Sequence, residues 1–208
     1  DEIYGLGIDI IPLLREELSH THFRRRMAAV TNLGRLADVE SVSILTGLLS
    51  DPHASVREMC LFSLGILGDS SAVESILVSL NDFDADVRYR AIVALGDLGY
   101  EKYEGVLIRA MSDDSIGVRE QALSQLRSCG TTRSVTVVLK ALLEREADMQ
   151  RVAEESLDRV IQKMTREDYK RLQESLSLRE RRLILNYLET RNLQEVYPTL
   201  WQRLQVVS

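Results

Sequence analysis

The residues of this 208-residue chain whose types and spacing could do chemistry are three histidines and a column of arginines. His22 and His53 stand 31 residues apart, the same step leads on to Asp84, and His20 lies beside the first of them. Two imidazoles and a carboxylate are donors a divalent metal accepts. The arginines Arg26, Arg57, Arg88, Arg119 and Arg181 recur at the same 31-residue step, with Gln150 as the single break. Arg57, Arg88 and Arg119 each follow an aspartate by six residues, Asp51, Asp82 and Asp113. Guanidinium groups in a row can bind an anion, or each can close a bidentate pair with a carboxylate. A further basic stretch, Leu178-Arg179-Glu180-Arg181-Arg182, could touch phosphate.

Recognised catalytic patterns are missing. There is no GxxxxGK[ST], no GxSxG, no HExxH and no GxGxxG after a strand. Carboxylates such as Glu154 and Glu155 fall on helix faces that read as solvated. The two cysteines, Cys60 and Cys129, are far apart and form no CxxC pair, so neither a disulfide framework nor a zinc site is indicated. A reducing, intracellular setting follows, and the cytoplasm is the expected location. The formal charge of -6 disfavours a surface devoted to nucleic acid or anionic lipid. No apolar run reaches the roughly 18 to 20 residues of a membrane span, and no signal peptide is visible. The chain starts at Asp1 rather than Met, which leaves open that it is a segment of a longer protein. No catalytic residue, no metal site and no cofactor is expected.

The spacing itself names the elements that must hold these residues. Around Asp82-Phe83-Asp84-Ala85-Asp86-Val87-Arg88 the pattern runs on to Ala91, Leu95 and Gly96. It stands 31 residues earlier as Asp51, Val56-Arg57, Cys60 and Leu64-Gly65, and 31 residues later as Asp113, Val118-Arg119, Ala122 and Leu126. Within one copy, Val56, Cys60, Leu64 and Leu67 fall on one stripe at about 100° per residue, the mark of an amphipathic helix. Val73, Ile76, Leu77 and Leu80 mark a second helix in the same copy. Leu, Val, Ala and Ile supply the burial, with only 5% aromatic residues, which suits thin helical layers. A helical period near 30 residues is the signature of an α-solenoid.

The expected helices are 8–19 with 22–36, 39–50 with 53–67, 70–81 with 84–98, 101–112 with 115–128, 132–144 with 147–163, and 166–176 with 178–190, then a last helix at 193–206. Pro12 sits in the first turn of its helix, where its missing N–H does little harm. Thr165 to Asp168 reads as a capping box. Gly34, Gly65 and Gly96 let neighbouring helices approach closely. The whole of 1–208 reads as a single repeat domain. Identical repetition turns the arginine column into an inter-repeat ladder rather than an active site, since catalysis needs asymmetry. Equivalent places in adjacent helices lie roughly 8–10 Å apart, too far for His22, His53 and Asp84 to share one metal, so they read as turn and cap residues. The stretch around Arg179 to Arg182 reads as an exposed helix balanced by nearby Glu.

With Asp51/Val56-Arg57, Asp82/Val87-Arg88 and Asp113/Val118-Arg119, and with Ile11-Pro12-Leu13-Leu14 as a proline-bearing first helix, the chain resembles the HEAT-repeat superfamily, and within it the phycobilisome-lyase-like (PBS lyase) HEAT repeats. The resemblance is strong over residues 22–126 and weak beyond. It implies an all-α, right-handed α-α superhelix, a HEAT-like, armadillo-like solenoid of about six helix pairs plus a final helix. It fixes function far less well, since such folds host scaffolds, transport receptors, chromophore lyase subunits and a few metal-dependent hydroxylases. The iron-dependent hydroxylases of this superfamily build their site from His-Glu dipeptides, and none occurs here.

By the same resemblance the Val-Arg helices line a concave surface. Two of them carry apolar residues away from the buried stripe. Met59, Phe62, Ile66, Tyr89 and Val93 are expected together on that surface, with Arg90 and Glu58 at its edge. Apolar clusters with a polar rim mark interaction sites. The expected role is a non-enzymatic scaffold holding a protein or peptide in the groove, with Met59, Phe62, Ile66, Tyr89, Arg90 and Val93 as the partner-binding residues. The runner-up is a subunit of a phycobilin lyase or isomerase, with a tetrapyrrole and its acceptor protein in a similar groove.

Overall fold

In the computed structural model, which describes residues 10–99 and 104–205, the 31-residue pattern folds into helices, with no strand among the described residues. Two compact units form, one within Asp1–Tyr100 and one within Glu101–Ser208. The first holds α1 (Ile11–Glu17), α2 (Phe23–Arg35), α3 (Val42–Gly47), α4 (Ala54–Leu67), α5 (Val73–Ser79) and α6 (Ala85–Asp97). The second holds α7 (Glu104–Ala110), α8 (Ile116–Cys129), α9 (Val135–Ala141), α10 (Ala147–Ile161), α11 (Arg166–Ser175), α12 (Leu178–Thr190) and α13 (Pro198–Gln205). In chain order these are six pairs and a last helix, the all-α solenoid class that the repeat implies.

In the first unit α2, α4 and α6 pack side by side, while α1, α3 and α5 each pack on the helix that follows. The period places one leucine per copy in the seam, and Leu33, Leu64 and Leu95 are all completely buried. Each such burial stabilises by roughly 2 kcal/mol. In the second unit α8 packs on α7 and α10, and α9 on α10, α11 and α12. Leu139, Leu142, Met149, Leu157, Ile184, Leu188 and Leu200 form its core.

The starts of α2, α6, α11 and α12 are set by side-chain acceptors. Asp84 accepts from the N–H groups of Asp86 and Val87 and opens α6. The capping box expected at Thr165 and Asp168 forms, and Ser177 with Glu180 makes a second at the start of α12. Pro12 lies in the first turn of α1.

Several boundaries depart from expectation: the helices expected at 70–81 and 132–144 open in 3₁₀ turns, Ser70–Ala72 and Thr132–Ser134, ahead of α5 and α9. The stretch 39–50 is not one helix: 3₁₀ turns at Val39–Ser41 and Leu48–Ser50 flank a short α3, whose N-cap makes no side-chain bond. Short 3₁₀ turns of this kind are frequent at helix ends. The last helix begins at Pro198 rather than 193. Proline disfavours helical backbone at the residue before it and suits the first helical position. Upstream, α12 ends with Asn192 at φ 55°, and the Leu193 N–H bonds the Leu188 carbonyl at 2.7 Å. Of the expected helix 101–112, residues 101–103 lie outside the described residues, as do 8 and 9 of the first and 206 of the last.

The same left-handed ending recurs in register at the ends of α2, α4 and α6. Gly68 has φ 70° and Gly99 φ 74°, but one repeat earlier the place is held by Ala37, at φ 54°. An L-residue with a Cβ is strained there. Ala37→Gly is therefore expected to raise stability by about 0.5–1 kcal/mol after glycine's entropic cost. An unchanged or lower denaturant midpoint would show that Ala37 carries no strain.

Candidate functional site

The arginine column is built into the first unit as a ladder. Arg26 donates through Nε and Nη2 to both oxygens of Asp51 at 2.6 and 2.7 Å, and through Nη1 to the carbonyls of His20 and Thr21. Arg57 repeats this with Asp82, at 2.7 Å to each oxygen, and with the Asp51 carbonyl at 2.8 Å. The six-residue Asp–Arg spacing is thus used through the aspartate's backbone: Arg88 Nη1 donates to the Asp82 carbonyl at 2.8 Å. The carboxylates also accept the N–H two residues on, His53 for Asp51 and Asp84 for Asp82. Burial alone would raise these two carboxyls, but the arginine and backbone hydrogen bonds outweigh it and hold both below the usual carboxylate value. In the second unit Glu144 takes the aspartate's place, lies 3.8 Å from Arg119, and leaves the buried Arg119 Nε without a hydrogen bond. Gln150 keeps the backbone half of the pattern, donating to the Glu144 carbonyl.

The histidines are turn residues. His22 accepts the Arg24 N–H through Nδ1 and caps α2. The Phe23 ring stacks between His22 and His53, with centroids 5.5 and 4.2 Å away. Among the described residues no three His, Cys, Asp or Glu side chains are grouped to hold a metal. Glu180, in the Arg-rich stretch, pairs with Lys140 at 2.9 Å, while Arg179 and Arg182 are exposed.

The apolar candidates lie on α4 and α6, within the first unit. Met59, Phe62 and Ile66 are three and seven residues apart and share one stripe of α4, as Arg90, Val93 and Asp97 share one of α6. Ile66 is 48% and Tyr89 36% exposed, whereas Met59, Phe62 and Val93 are half-buried. The Arg90 guanidinium lies over the Phe62 ring, 5.5 Å from its centroid, and reaches Glu58 at 3.2 Å. Phe62, Arg90 and Glu58 thus meet across the two helices, and the Tyr89 hydroxyl has no hydrogen-bond partner among the described residues. The close helix approach that the glycines imply is present at two of them. A Cβ on Gly34 would fall 2.6 Å from Ser63 Oγ, and one on Gly65 would fall 3.3 Å from Ala94 Cα and 2.9 Å from an Asp97 oxygen. Asp97 therefore leans over the bare backbone of α4. Partial burial raises its carboxyl above the ordinary value, against the field of Arg90.

Most corresponding places in the second unit are polar, among them Glu120, Ser124, Arg151 and Glu155, although Val152 and the exposed Leu183 stand at the Met59 place. Glu155 accepts from Arg127 at 2.5 Å and from Arg151 at 2.8 Å, which holds its carboxyl low. Sequence reasoning missed three polar clusters. Arg15 binds Asp38 at 2.6 and 2.9 Å and also reaches Ser41 and Glu40. The buried Glu104 accepts from the Thr131 N–H and hydroxyl. The Tyr187 and Tyr197 hydroxyls donate to Glu154 and Asp158, and burial together with Glu154 pushes Tyr187 up to about 12. None of these pairs is separated by the repeat period, so periodicity carried no signal for them. No described helix is long and apolar enough to cross a membrane.

The family model for HEAT repeats matches residues 11–82 and again 73–158. None of the curated proteins matches the sequence. Among solved structures, the complex of CpcE and CpcF of phycocyanin lyase from Nostoc sp. PCC7120 contains a chain that is 21% identical, with TM-score 0.62, over 86% of this chain and 75% of that one. An engineered protein is similar at 16% identity and TM-score 0.63, over 95% and 97%. A designed armadillo repeat protein in complex with the peptide (KR)4 is similar at 15% identity and TM-score 0.59, over 94% and 98%.

Proposed function

This chain belongs to the HEAT-repeat family, and from that premise we propose that it is a non-enzymatic scaffold that binds a protein or peptide. The binding residues are Met59, Phe62, Ile66, Tyr89, Arg90 and Val93, on a concave face formed by the Val-Arg helices. The observation that carries this is a strip of apolar side chains left part-exposed across α4 and α6, with Arg90 resting on Phe62 and tied to Glu58. An apolar centre with a charged rim is the anatomy of a recognition patch. The likeness to a designed armadillo protein that holds a peptide supports the same use of the fold. We take residues 1–208 as one repeat domain acting in the cytoplasm; the second match of the family model, 73–158, runs through the boundary between the compact units.

Selection from a random peptide display library tests this. Wild-type protein is expected to enrich peptides that the Phe62→Ala/Tyr89→Ala variant binds at least about 30-fold more weakly, the loss that goes with an aromatic anchor. The variant should give up about 1–2 kcal/mol of stability, since the half-buried Phe62 loses part of its apolar burial and its stacking with Arg90. Undiminished binding by a folded variant would place the site elsewhere. The likeness to the phycocyanin lyase chain supports the second reading, a phycobilin lyase or isomerase subunit. A bilin absorbance change on mixing with the protein would favour it over the peptide scaffold.

A further inference from the structure

Two charges at the ends of the apolar strip are left over by the fold. Arg35, the last residue of α2, and Asp97, the last of α6, hold the same repeat position, and Ile66 of α4 holds it between them. Arg35 and Asp97 are both exposed, and neither makes a hydrogen bond or an ion pair with any described residue. The other charges of the strip, Glu58 and Arg90, pair with each other through Arg90 Nη2 at 3.2 Å, while the buried Arg90 Nε has no hydrogen-bond partner among the described residues. The row thus reads cation, apolar centre, anion across three adjacent helices. The Asp97 carboxylate lies over Gly65 of α4, 2.9 Å from where a Cβ there would stand. Packed helices lie about 8–10 Å apart, so the two charges are separated by roughly 16–20 Å. An extended chain covers that distance in about five or six residues.

We propose that the face of α2, α4 and α6 takes an extended peptide whose acidic and basic residues, about six apart, flank an apolar side chain. The acid meets Arg35, the apolar side chain covers Phe62 and Ile66, and the base meets Asp97. The inference rests on the scaffold reading and adds to it the chemistry of the partner. An extended ligand brings backbone groups that need partners. The Tyr89 hydroxyl and Arg90 Nη1, neither bonded to any described residue, stand beside the strip to supply them. A helical ligand satisfies its own backbone and would need its charges about twelve residues apart to span the same distance.

The test uses labelled synthetic peptides and fluorescence anisotropy. Each carries one Asp and one Lys with Phe midway. The charges are about six residues apart in either order, or about three, or about twelve on a helix-favouring sequence, or replaced by Asn and Gln. Wild-type protein should bind one order of the six-residue spacing about tenfold more tightly than the neutral peptide, the combined effect of two partly exposed ion pairs. The advantage should shrink as salt is raised. The Arg35→Asp/Asp97→Lys variant should prefer the opposite order, with its melting temperature nearly unchanged because neither side chain makes a hydrogen bond or an ion pair with any described residue. Equal binding of charged and neutral peptides, an order preference that survives the swap, tighter binding at three or twelve residues, or no binding by any peptide would each overturn the inference. If charge has no influence but Phe62→Ala still weakens the display-selected peptides, the scaffold reading stands and the partner chemistry falls. If those peptides are also indifferent to Phe62, both fall.

Discussion

Replacing Arg57 by alanine is expected to cost about 3 kcal/mol of stability, against no more than about 0.5 kcal/mol for Arg182→Ala. Both changes delete an arginine from a helix surface, but the two guanidiniums stand in different surroundings. Arg57 makes two bonds of 2.7 Å to Asp82 and one of 2.8 Å to the Asp51 carbonyl, and the two side chains are only 14% and 11% exposed. The cost lies chiefly in what is left behind. Asp82 would remain as a largely buried carboxylate, and the Asp51 carbonyl would lose a donor. Breaking one side of a buried pair costs about 3–5 kcal/mol, and residual solvent access places Arg57 at the low end. Arg182 is exposed on α12 and bonds to nothing described. Urea denaturation of the two variants checks this, and equal midpoints would mean that the ladder is not structural.

The same ladder sets the response to acid. Asp38, Asp51 and Asp82 all have carboxyls held below the ordinary value: Asp38 by the Arg15 hydrogen bonds, the other two by arginine and backbone bonds that prevail over burial. A carboxyl depressed in the folded state contributes stability that is fully present above its unfolded value, near about 4, and is lost as pH falls through the folded value. Stability should therefore decline from about pH 4 downward, and less steeply in Arg57→Ala, where Asp82 has no guanidinium to lose. Asp97 has the opposite sign. Its raised carboxyl disfavours the ionised form, so folding gains from Asp97 as pH falls, and Asp97→Asn should leave neutral-pH stability unchanged or higher. A carboxylate that gives the fold nothing at neutral pH fits a residue kept for a partner.

What the sequence disclosed was whatever repeats. Arg26, Arg57 and Arg88 declared themselves because each copy solves the same problem at the same turn. The division of labour within a copy was hidden. Six residues separate Asp82 from Arg88, yet the Asp82 carboxylate belongs to Arg57, 25 residues back, and only the Asp82 carbonyl serves Arg88. Spacing along the chain cannot distinguish these, because both bonds recur at the same period, as in Arg26 and Arg57. The face carrying Phe62 was legible from its helical offset, but its depth was not. Offset gives a direction, whereas half-burial comes from Arg90 of the neighbouring helix lying over the ring. Tyr187 with Glu154, Tyr197 with Asp158, and Arg15 with Asp38 had no period to betray them. The late start of α13 follows from Pro198, a local cue that the apolar pattern overrode.

Gly34→Ala is expected to destabilise by about 2 kcal/mol, although alanine is the better helix former by about 1 kcal/mol. Gly34 is buried in α2 against Ser63 of α4. An added Cβ would lie 2.6 Å from Ser63 Oγ, 2.7 Å from Ser63 Cβ and 3.0 Å from Ser63 Cα. A rotamer change could move the hydroxyl, but the Cα belongs to the backbone of α4, so the two helices must part. Overpacking of this kind costs about 1–3 kcal/mol. Moving the hydroxyl also breaks its 3.0 Å bond to the Val30 carbonyl, worth about 1 kcal/mol. Two controls separate crowding from any general intolerance of change. Gly47, in α3, would meet nothing within 4 Å, and Gly47→Ala should be neutral or stabilising by up to about 1 kcal/mol. Ser63→Gly removes the two nearest atoms, so it should cost less in the Gly34→Ala background than alone, with a coupling of about 1–2 kcal/mol in the double-mutant cycle. If Gly34→Ala matched Gly47→Ala, or the cycle closed without coupling, close approach of α2 and α4 would not be what this glycine provides.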